Sequence, residues 1–290
     1  MESTLIMGKK QKVSRIGAIT TFIKEVKSIK AKEGHTLFFR GHSDEGYKAI
    51  PSIFRHIDND ESKERYIANE DRLYKSMVAN CPTDFLTCSS AFDHLVKMQH
   101  YGLPTRLLDI TSNPLVALYF ACCDNHGKGG KHGEILIYQI PDDKIKFYSG
   151  DSVSVVSNLA KMKSDFDYST EKTKYLHEIK YEKPYFLDGI DEAHLHTVFC
   201  VKPKLDNPRV IKQSGAFLLF GMGSNKLEPA SIPSEFLFKS NDSVKTIKIA
   251  QNGKITILEE LRELGVSAAS LFPEIEKVAE YLKMQPKGML

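Results

Sequence analysis

The polar residues of greatest chemical interest precede a strongly apolar segment. In the stretch QHYGLPTRLLDITSNPLVALYFACC, residues 99–123, the apolar segment is residues 115–122. Hydroxyl and amide side chains at a helix N-terminus suit an anion, because backbone N–H groups and the helix dipole favour negative charge there. Plain N-capping is the alternative interpretation. The polar residues that lead into this helix are His100, Tyr101, Arg106, Asp109, Thr111, Ser112 and Asn113.

Arg40 is a second candidate, since it ends the hydrophobic segment TLFFR and precedes Gly41. A guanidinium there can emerge from a sheet and bind a phosphate or carboxylate through two parallel hydrogen bonds. A glycine beside it would let a ligand approach the backbone. The alternative is a structural ion pair between Arg40 and an internal carboxylate such as Asp109.

Arg106 and Asp109 are three residues apart, between two segments that we predict to be buried. Buried charges must be paired, because an isolated buried charge is very unfavourable. We therefore expect Asp109 to be more structural than catalytic, with Arg106 as its neighbour in an ion pair.

Arg209 and Gln213 share one face if residues 207–215 are helical, because they lie four positions apart. The Gln213 amide would then face a ligand or satisfy backbone groups. His194 and His196 lack a third ligand at useful spacing, so we predict no metal site. The five cysteines include no CxxC pair, which argues against a disulfide scaffold.

Hydrophobic spacing predicts the elements that position these residues. Residues 163–183 show no clear pattern. We predict an α+β fold: a single mixed domain whose central, largely antiparallel sheet is flanked by helices, with residues 1–35 as a helical lead-in and 36–290 as the domain. The predicted helices are 14–30, 59–80, 85–101, 114–122, 153–162, a short one from Pro208, 255–264 and 273–283, and the predicted strands are 36–40, 134–140, 197–201, 216–220 and 244–249.

Composition excludes several classes of protein. Of the 290 residues, 41% are hydrophobic and 27% charged, and the formal net charge is +3, too small to indicate nucleic-acid binding by itself. The longest apolar run, residues 115–123, is far shorter than the roughly 20 residues of a transmembrane helix. The N-terminal residues lack the apolar core of a signal peptide. We expect a cytoplasmic protein without membrane contact; the oligomeric state is not specified by the sequence.

Several of these segments resemble the FRG domain family of bacterial and phage-associated proteins. The family takes its name from a motif that is Phe39-Arg40-Gly41 here, and its second hallmark resembles residues 100–122, with Ile110 where an aromatic residue is common. Weaker similarity covers residues 209–217 and 271–282. The resemblance extends over residues 16–282.

A more distant likeness is to ADP-ribosyltransferases of the Arg–Ser–Glu type. It implies that Arg40 holds the phosphates or ribose of NAD, while Thr111 and Ser112 position the nicotinamide ribose. Their catalytic glutamate has no counterpart, because Gly215 follows Gln213 and Ser214 where that carboxylate is expected. Glu134, Glu178 and Glu182 are substitutes without motif support. The candidate catalytic residues are Thr111, Ser112, Gln213 and Glu134, and the candidate NAD-binding residues are Arg40, Gly41, His100, Tyr101, Arg106, Thr111, Ser112 and Asn113.

Three functions follow from these observations. The first is an ADP-ribosyltransferase-like toxin or anti-phage effector that acts on NAD, with a protein or nucleic acid as target. The second is a module that senses a nucleotide-like small molecule or a partner without chemistry. The third is a metal-dependent hydrolase or nuclease that uses Asp109 and a second carboxylate.

Overall fold

The computed structural model describes residues 14–275 and 278–279. The described part contains both helices and strands, with several short 3₁₀ turns between them. The helices are α1 (Ile19–Ser28), α2 (Glu70–Asn80), α3 (Ala91–His100), α4 (Pro114–Cys122), α5 (Asp151–Asn158), α6 (Tyr168–Glu182), α7 (Pro208–Lys212), α8 (Lys254–Glu263) and α9 (Ala268–Leu271). The strands are β1 (His35–His42), β2 (Leu107–Thr111), β3 (Gly133–Pro141), β4 (Ile145–Phe147), β5 (Val198–Lys202), β6 (Gly215–Phe220), β7 (Lys239–Ser240), β8 (Ser243–Val244) and β9 (Thr246–Ile249).

Seven of these strands form one sheet in the order β4-β5-β6-β2-β1-β3-β9. Every neighbouring pair is antiparallel except β4 and β5, which are parallel. Strands β7 and β8 form a separate small hairpin. The predicted α+β fold with a largely antiparallel central sheet is confirmed. No helix in the described part of the chain is long and apolar enough to span a bilayer.

The sheet separates three hydrophobic cores, because alternate residues of a strand point to opposite faces. The first core packs α3, α5 and α6 on β5, β6 and Leu107 of β2. The second packs α1, α4 and α8 on β3, β9 and Phe39 of β1. The third covers the opposite face and contains Phe38, Leu108 and Ile110.

The two halves of the sheet separate between β1 and β2. Strand β1 pairs with β3 along its whole length, from His35 opposite Pro141 to His42 opposite Glu134. By contrast, β1 and β2 pair only at Phe39 opposite Thr111. Because the pairing stops there, the strands leave a gap at the position where the three cores meet.

Helix α4 packs directly on the backbone of β1 and β3. A Cβ atom on Gly41 would overlap the carbonyl oxygen of Ala117, and one on Gly133 would overlap that of Ala121. Glycine in the strands and alanine in the helix therefore let the two backbones approach. Asn113 caps this helix, since its Oδ1 accepts from the N–H of Leu115 at 2.9 Å, and Pro114 is its first residue.

Most predicted elements are present, but strands β2 and β4 and helix α9 were not predicted, and three further differences concern helices. Helix α2 begins at Glu70 rather than near residue 59, because the residues before it form short 3₁₀ turns. Helix α6 was not expected, since its buried residues are only Tyr168, Tyr175 and Ile179, too sparse a stripe to recognise. Most of the predicted helix at 273–283 lies outside the described residues.

Candidate functional site

A cavity of about 340 Å³ lies where β1 and β2 separate. Its walls come from all three cores: Phe39 from the second, Leu107 and Phe217 from the first, Leu108 and Ile110 from the third. The end of α3 and the residues of α7 complete the wall on one side of the sheet. Its volume is at the lower end of the range for small-molecule sites.

Arg40 spans the gap between the separated strands. Its Nη1 donates to the backbone carbonyl of Asp109 at 2.7 Å, and its Nε contacts Nε2 of His42 at 3.1 Å. The nearest carboxylate oxygen, Oδ2 of Asp109, is 3.9 Å from Nη1, at the limit of an ion pair. The Arg40 side chain is 18% exposed and lines the cavity, so its charge is only weakly neutralised by the protein.

Arg55 lines the cavity beside Arg40. Burial and the positive charge of Arg40 lower the pKa of the Arg55 guanidinium. Its Nη2 donates to the carbonyl of Ile50 at 3.1 Å, and no carboxylate in the described part of the chain forms an ion pair with it. Burial and the charges of Arg40 and Arg55 lower the pKa of the enclosed His42 to about 4, so this imidazole is neutral at pH 7. We call Arg40 and Arg55 the arginine pair.

Asp109 is the carboxylate that faces this cavity. Its side chain is 58% exposed, and its Oδ2 accepts from Nε2 of Gln99 at 2.7 Å. The Gln99 amide is oriented in turn by the Thr105 hydroxyl, which donates to its Oε1. Asp109 is therefore held in one orientation at the cavity wall, with room to accept further hydrogen bonds.

His100 and Arg209 form the wall on the α3 and α7 side. Nε2 of His100 lies 3.2 Å from Oε1 of Glu274, and its Nδ1 lies 3.4 Å from Nδ2 of Asn207. Burial lowers the pKa of His100, although the Glu274 carboxylate opposes the shift. Because both ring nitrogens are engaged, His100 is a wall residue rather than a free acid or base. Arg209 lies over the ring of Phe272, 4.7 Å from its centroid.

Residues 35–129 match the model of the FRG domain family. This chain contains an FRG domain. The matched region contains the arginine pair and Asp109, whereas the α7 wall lies beyond it. No curated protein and no solved structure matches the chain.

The N-terminus of α4 is not an open anion site in this FRG domain. The Thr111 hydroxyl donates to the carbonyl of Gln213 at 2.6 Å and accepts from the N–H of Asn113 at 3.0 Å. The N–H of Ser112 donates to Ser214, while those of Leu115 and Val116 donate to Asn113. Thr111 lines the cavity, but Ser112 and Asn113 do not. The N–H groups expected to receive an anion are therefore already paired within the chain.

Arg106 differs most from its predicted role. It is fully buried and forms a two-pronged ion pair with Glu70, not with Asp109, while Nη1 donates to the carbonyl of Phe220 at 2.8 Å. Nζ of Lys226 lies 3.0 Å from the same Glu70 carboxylate. Arg106 is a member of a structural ion pair, as predicted, but its partner is Glu70 and not Asp109, because Arg106, just before β2, points into the protein and Asp109 to the surface. Arg106 does not reach the cavity.

Gly41 borders the cavity, but the space beside its Cα is filled by the backbone of α4 and is not open to a ligand. Tyr101 is 62% exposed and lines a neighbouring cavity of about 560 Å³. The substitute glutamates are engaged elsewhere. Lys248 pairs with Glu134 at 2.8 Å and Lys161 with Glu178 at 3.7 Å, while Glu182 accepts from the N–H of Ala91 at 2.6 Å.

Sequence reasoning missed Arg55 and Gln99. Arg55 follows a short 3₁₀ turn, where no periodic pattern of hydrophobic residues indicates its position. Gln99 lies within the predicted helix and has no sequence feature that distinguishes it from other helical residues. Only tertiary packing brings them beside Arg40 and Asp109. The part of the chain that the structure describes contains no group of three or more His, Cys, Asp or Glu residues placed to hold a metal ion.

Proposed function

We propose that the cavity of this FRG domain binds a phosphate-bearing, nucleotide-like ligand of the NAD class. The observation that carries the proposal is the arginine pair: two adjacent guanidinium groups face one cavity, and one weak contact with Asp109 is their only carboxylate partner among the described residues. Like charges in proximity are unfavourable without a counter-ion. Two guanidinium forks match the oxygens of a phosphate.

The neighbouring groups suit the remainder of such a ligand. Ser52 also lines the cavity, and its hydroxyl accepts from the N–H of Thr105 at 3.3 Å, which leaves its own hydrogen for a phosphate oxygen. The Asp109 carboxylate accepts hydrogen bonds, as a ribose hydroxyl requires. A phosphate beside a ribose is the combination that these groups recognise together.

Isothermal titration calorimetry of the purified protein with ADP-ribose tests this function. We expect Arg40→Ala and Arg55→Ala each to weaken binding by about 10- to 100-fold, the usual range for a charged hydrogen-bonding group. Arg72→Ala is the matched control, since Arg72 is exposed on α2. Equal affinity of all three variants and the parent protein would contradict the proposal.

Transferase chemistry is a second candidate function, favoured by the position of Asp109. NAD, when bound, supplies an ADP-ribosyl group and a nicotinamide leaving group. The Asp109 carboxylate, held by Gln99, would stabilise positive charge on a ribose at the cavity wall. A protein that consumes NAD in this way would act as a toxin or an anti-phage effector, whereas one that only binds it would act as a sensor.

Release of nicotinamide separates these two candidates. If the protein is a transferase, we expect nicotinamide release to disappear in Asp109→Asn while ADP-ribose binding is only weakened, because the asparagine amide oxygen can still accept from a ribose hydroxyl. Binding without release assigns the protein to the sensing class. The five cysteines are free thiols, which suits the reducing cytoplasm where we place this activity.

A further inference from the structure

The cavity wall on the α4 and α7 side differs in chemistry from the arginine pair. Phe120 of α4, Arg209 of α7 and Gln213 after α7 line this wall. It lies on the face of the sheet that carries the first and second cores, whereas Arg55 follows Ile53 and Phe54 of the third. One aromatic ring, one planar cation and one amide thus line the same cavity as the arginine pair.

Phe120 presents a ring on which no aromatic ring of the described residues stacks face to face. The Phe272 ring meets it at 88° and 6.0 Å between centroids, and the Tyr119 ring meets it at 80° and 5.6 Å. Both are edge-type contacts, which fix the orientation of the ring. A fixed aromatic ring at a cavity wall is a platform for a second aromatic group.

Arg209 is held flat by packing rather than by an ion pair. Its guanidinium carbon lies 4.7 Å from the Phe272 ring centroid, and Nη1 lies 3.4 Å from the carbonyl of His100. No carboxylate in residues 14–275 pairs with it at ion-pair distance. A guanidinium plane stacks readily on aromatic rings, including those of bases.

The Gln213 amide has a defined orientation. The carbonyl of Leu271 can only accept, so the amide nitrogen of Gln213 must face it, at 3.2 Å. The amide oxygen, Oε1, is then the group left for a ligand. An N–H donor at the edge of a ligand ring would satisfy this oxygen.

We propose that Phe120, Arg209 and Gln213 form a ring subsite for a planar heteroaromatic group that carries an N–H donor. The inference rests on the proposed function, since the phosphate of the same ligand occupies the arginine pair. Phe120 and Arg209 supply stacking surfaces, and Oε1 of Gln213 accepts from the ring substituent. The ligand class is thereby narrowed from a phosphorylated sugar to a nucleotide with an amine or amide on its base.

Calorimetric titration with AMP and with ribose 5-phosphate tests the ring subsite. The two ligands share the phosphate and the ribose, and only AMP carries a base. We expect the protein to bind AMP at least about fivefold more tightly, the lower bound for stacking of one base. Phe120→Leu keeps an apolar side chain and should abolish most of that ratio, while leaving the affinity for ribose 5-phosphate unchanged.

Two further measurements sharpen the result. Phe147→Leu is the matched control, because Phe147 is 63% exposed on the edge strand β4, and it should leave both affinities unchanged. Purine riboside 5′-monophosphate lacks the exocyclic amine of AMP. The parent protein should favour AMP over this analogue, and Gln213→Leu should bind the two equally.

Three other outcomes would contradict the ring subsite, and one of them would also contradict the proposed function. If the parent protein binds AMP and ribose 5-phosphate equally, the ring subsite is wrong and the proposed function survives. If Phe120→Leu weakens both ligands to the same extent, Phe120 supports the fold rather than the base, and the subsite is again wrong. If the parent protein binds neither ligand, the proposed function fails and the ring subsite fails with it.

Discussion

Two clusters of basic side chains in this protein differ in their surroundings. The buried charge cluster consists of Arg106, Lys226 and Glu70, which are 0%, 0% and 3% exposed. Burial alone would raise the pKa of the Glu70 carboxyl, but the charges of Arg106 and Lys226 outweigh it and hold the pKa below its usual range. The arginine pair has no such carboxylate and borders a cavity.

The difference distinguishes a structural arginine from the two arginines that we propose to bind a ligand. Arg106 is saturated by Glu70 and by the carbonyl of Phe220, so no ligand could use it without dismantling the interior. Arg40 and Arg55 retain unused donors toward open space. Completeness of pairing, rather than sequence context, decides which role an arginine has.

Substitution within the buried charge cluster should have the largest effect. We expect Arg106→Met to lower the free energy of unfolding by about 3–5 kcal/mol, because it leaves the Glu70 carboxylate with Lys226 alone and an unpaired carbonyl at Phe220. Urea denaturation followed by circular dichroism measures the change. Arg72→Met, on the exposed face of α2, is the control and should shift the midpoint little. An unchanged midpoint for Arg106→Met would show that the cluster does not support the fold.

An intermediate loss of stability is expected at acid pH, where unfolding allows His42 beside the arginine pair to take up a proton. The pKa of His42 is about 4 in the folded protein, against 6.5 for an ordinary histidine, because of burial and the charges of Arg40 and Arg55. The unfolded chain therefore binds more protons between these two values. The contribution of His42 to stability is complete above pH 6.5 and is lost as the pH falls towards 4, by roughly 1–3 kcal/mol.

Denaturation at a series of pH values checks this expectation. His94, whose pKa burial and Lys161 also lower to about 4, adds a loss of the same sign. In His42→Gln the loss between pH 6.5 and 4 should become smaller, leaving the part due to His94 and to His100, whose pKa is also lowered by burial. An identical pH dependence in the parent protein and His42→Gln would show that burial and the arginine pair do not lower the pKa of His42.

The smallest effect on stability is expected at the arginine pair itself. Arg55→Met should change the free energy of unfolding by no more than about 0.5 kcal/mol, because the lost bond to the Ile50 carbonyl is offset by removal of the repulsion from Arg40. Arg106→Met, the same change in the buried charge cluster, is the variant with which Arg55→Met is compared. A loss at Arg55 as large as that at Arg106 would erase the distinction between the two clusters.

Local patterns of the sequence predicted much of the fold. The Asn113 cap with Pro114 located the start of α4, and alternating hydrophobic residues located most strands. Such features depend on a few neighbouring residues. The ion pairs were not predictable in this way, since Glu70 lies 36 positions from Arg106 and no spacing rule links them.

The candidate site also combines features that neighbouring residues predict with features that depend on distant ones. Arg40 was predicted as a binding residue from its place at the end of a strand before a glycine, and the structure puts it at the cavity, although Gly41 there accommodates a helix. The predictions for Thr111, Ser112 and Asn113 rested on the chemistry of helix N-termini in general. The N–H groups of Leu115 and Val116 are paired locally, by Asn113. The N–H of Ser112 and the hydroxyl of Thr111 instead donate to the carbonyls of Ser214 and Gln213, which reach them only after β2 and β6 pair.

The sequence by itself determined the class of fold, the family motif and the place of an arginine in a strand before a glycine, because these depend on local periodicity and on residue types in order. The tertiary structure alone decided that β1 and β2 separate, that Arg55 joins Arg40 at the gap, and that Asp109 faces outward while Arg106 is enclosed. Charge neutralisation and cavity formation arise from groups distant in the chain. They exist only once the sheet has brought those groups together.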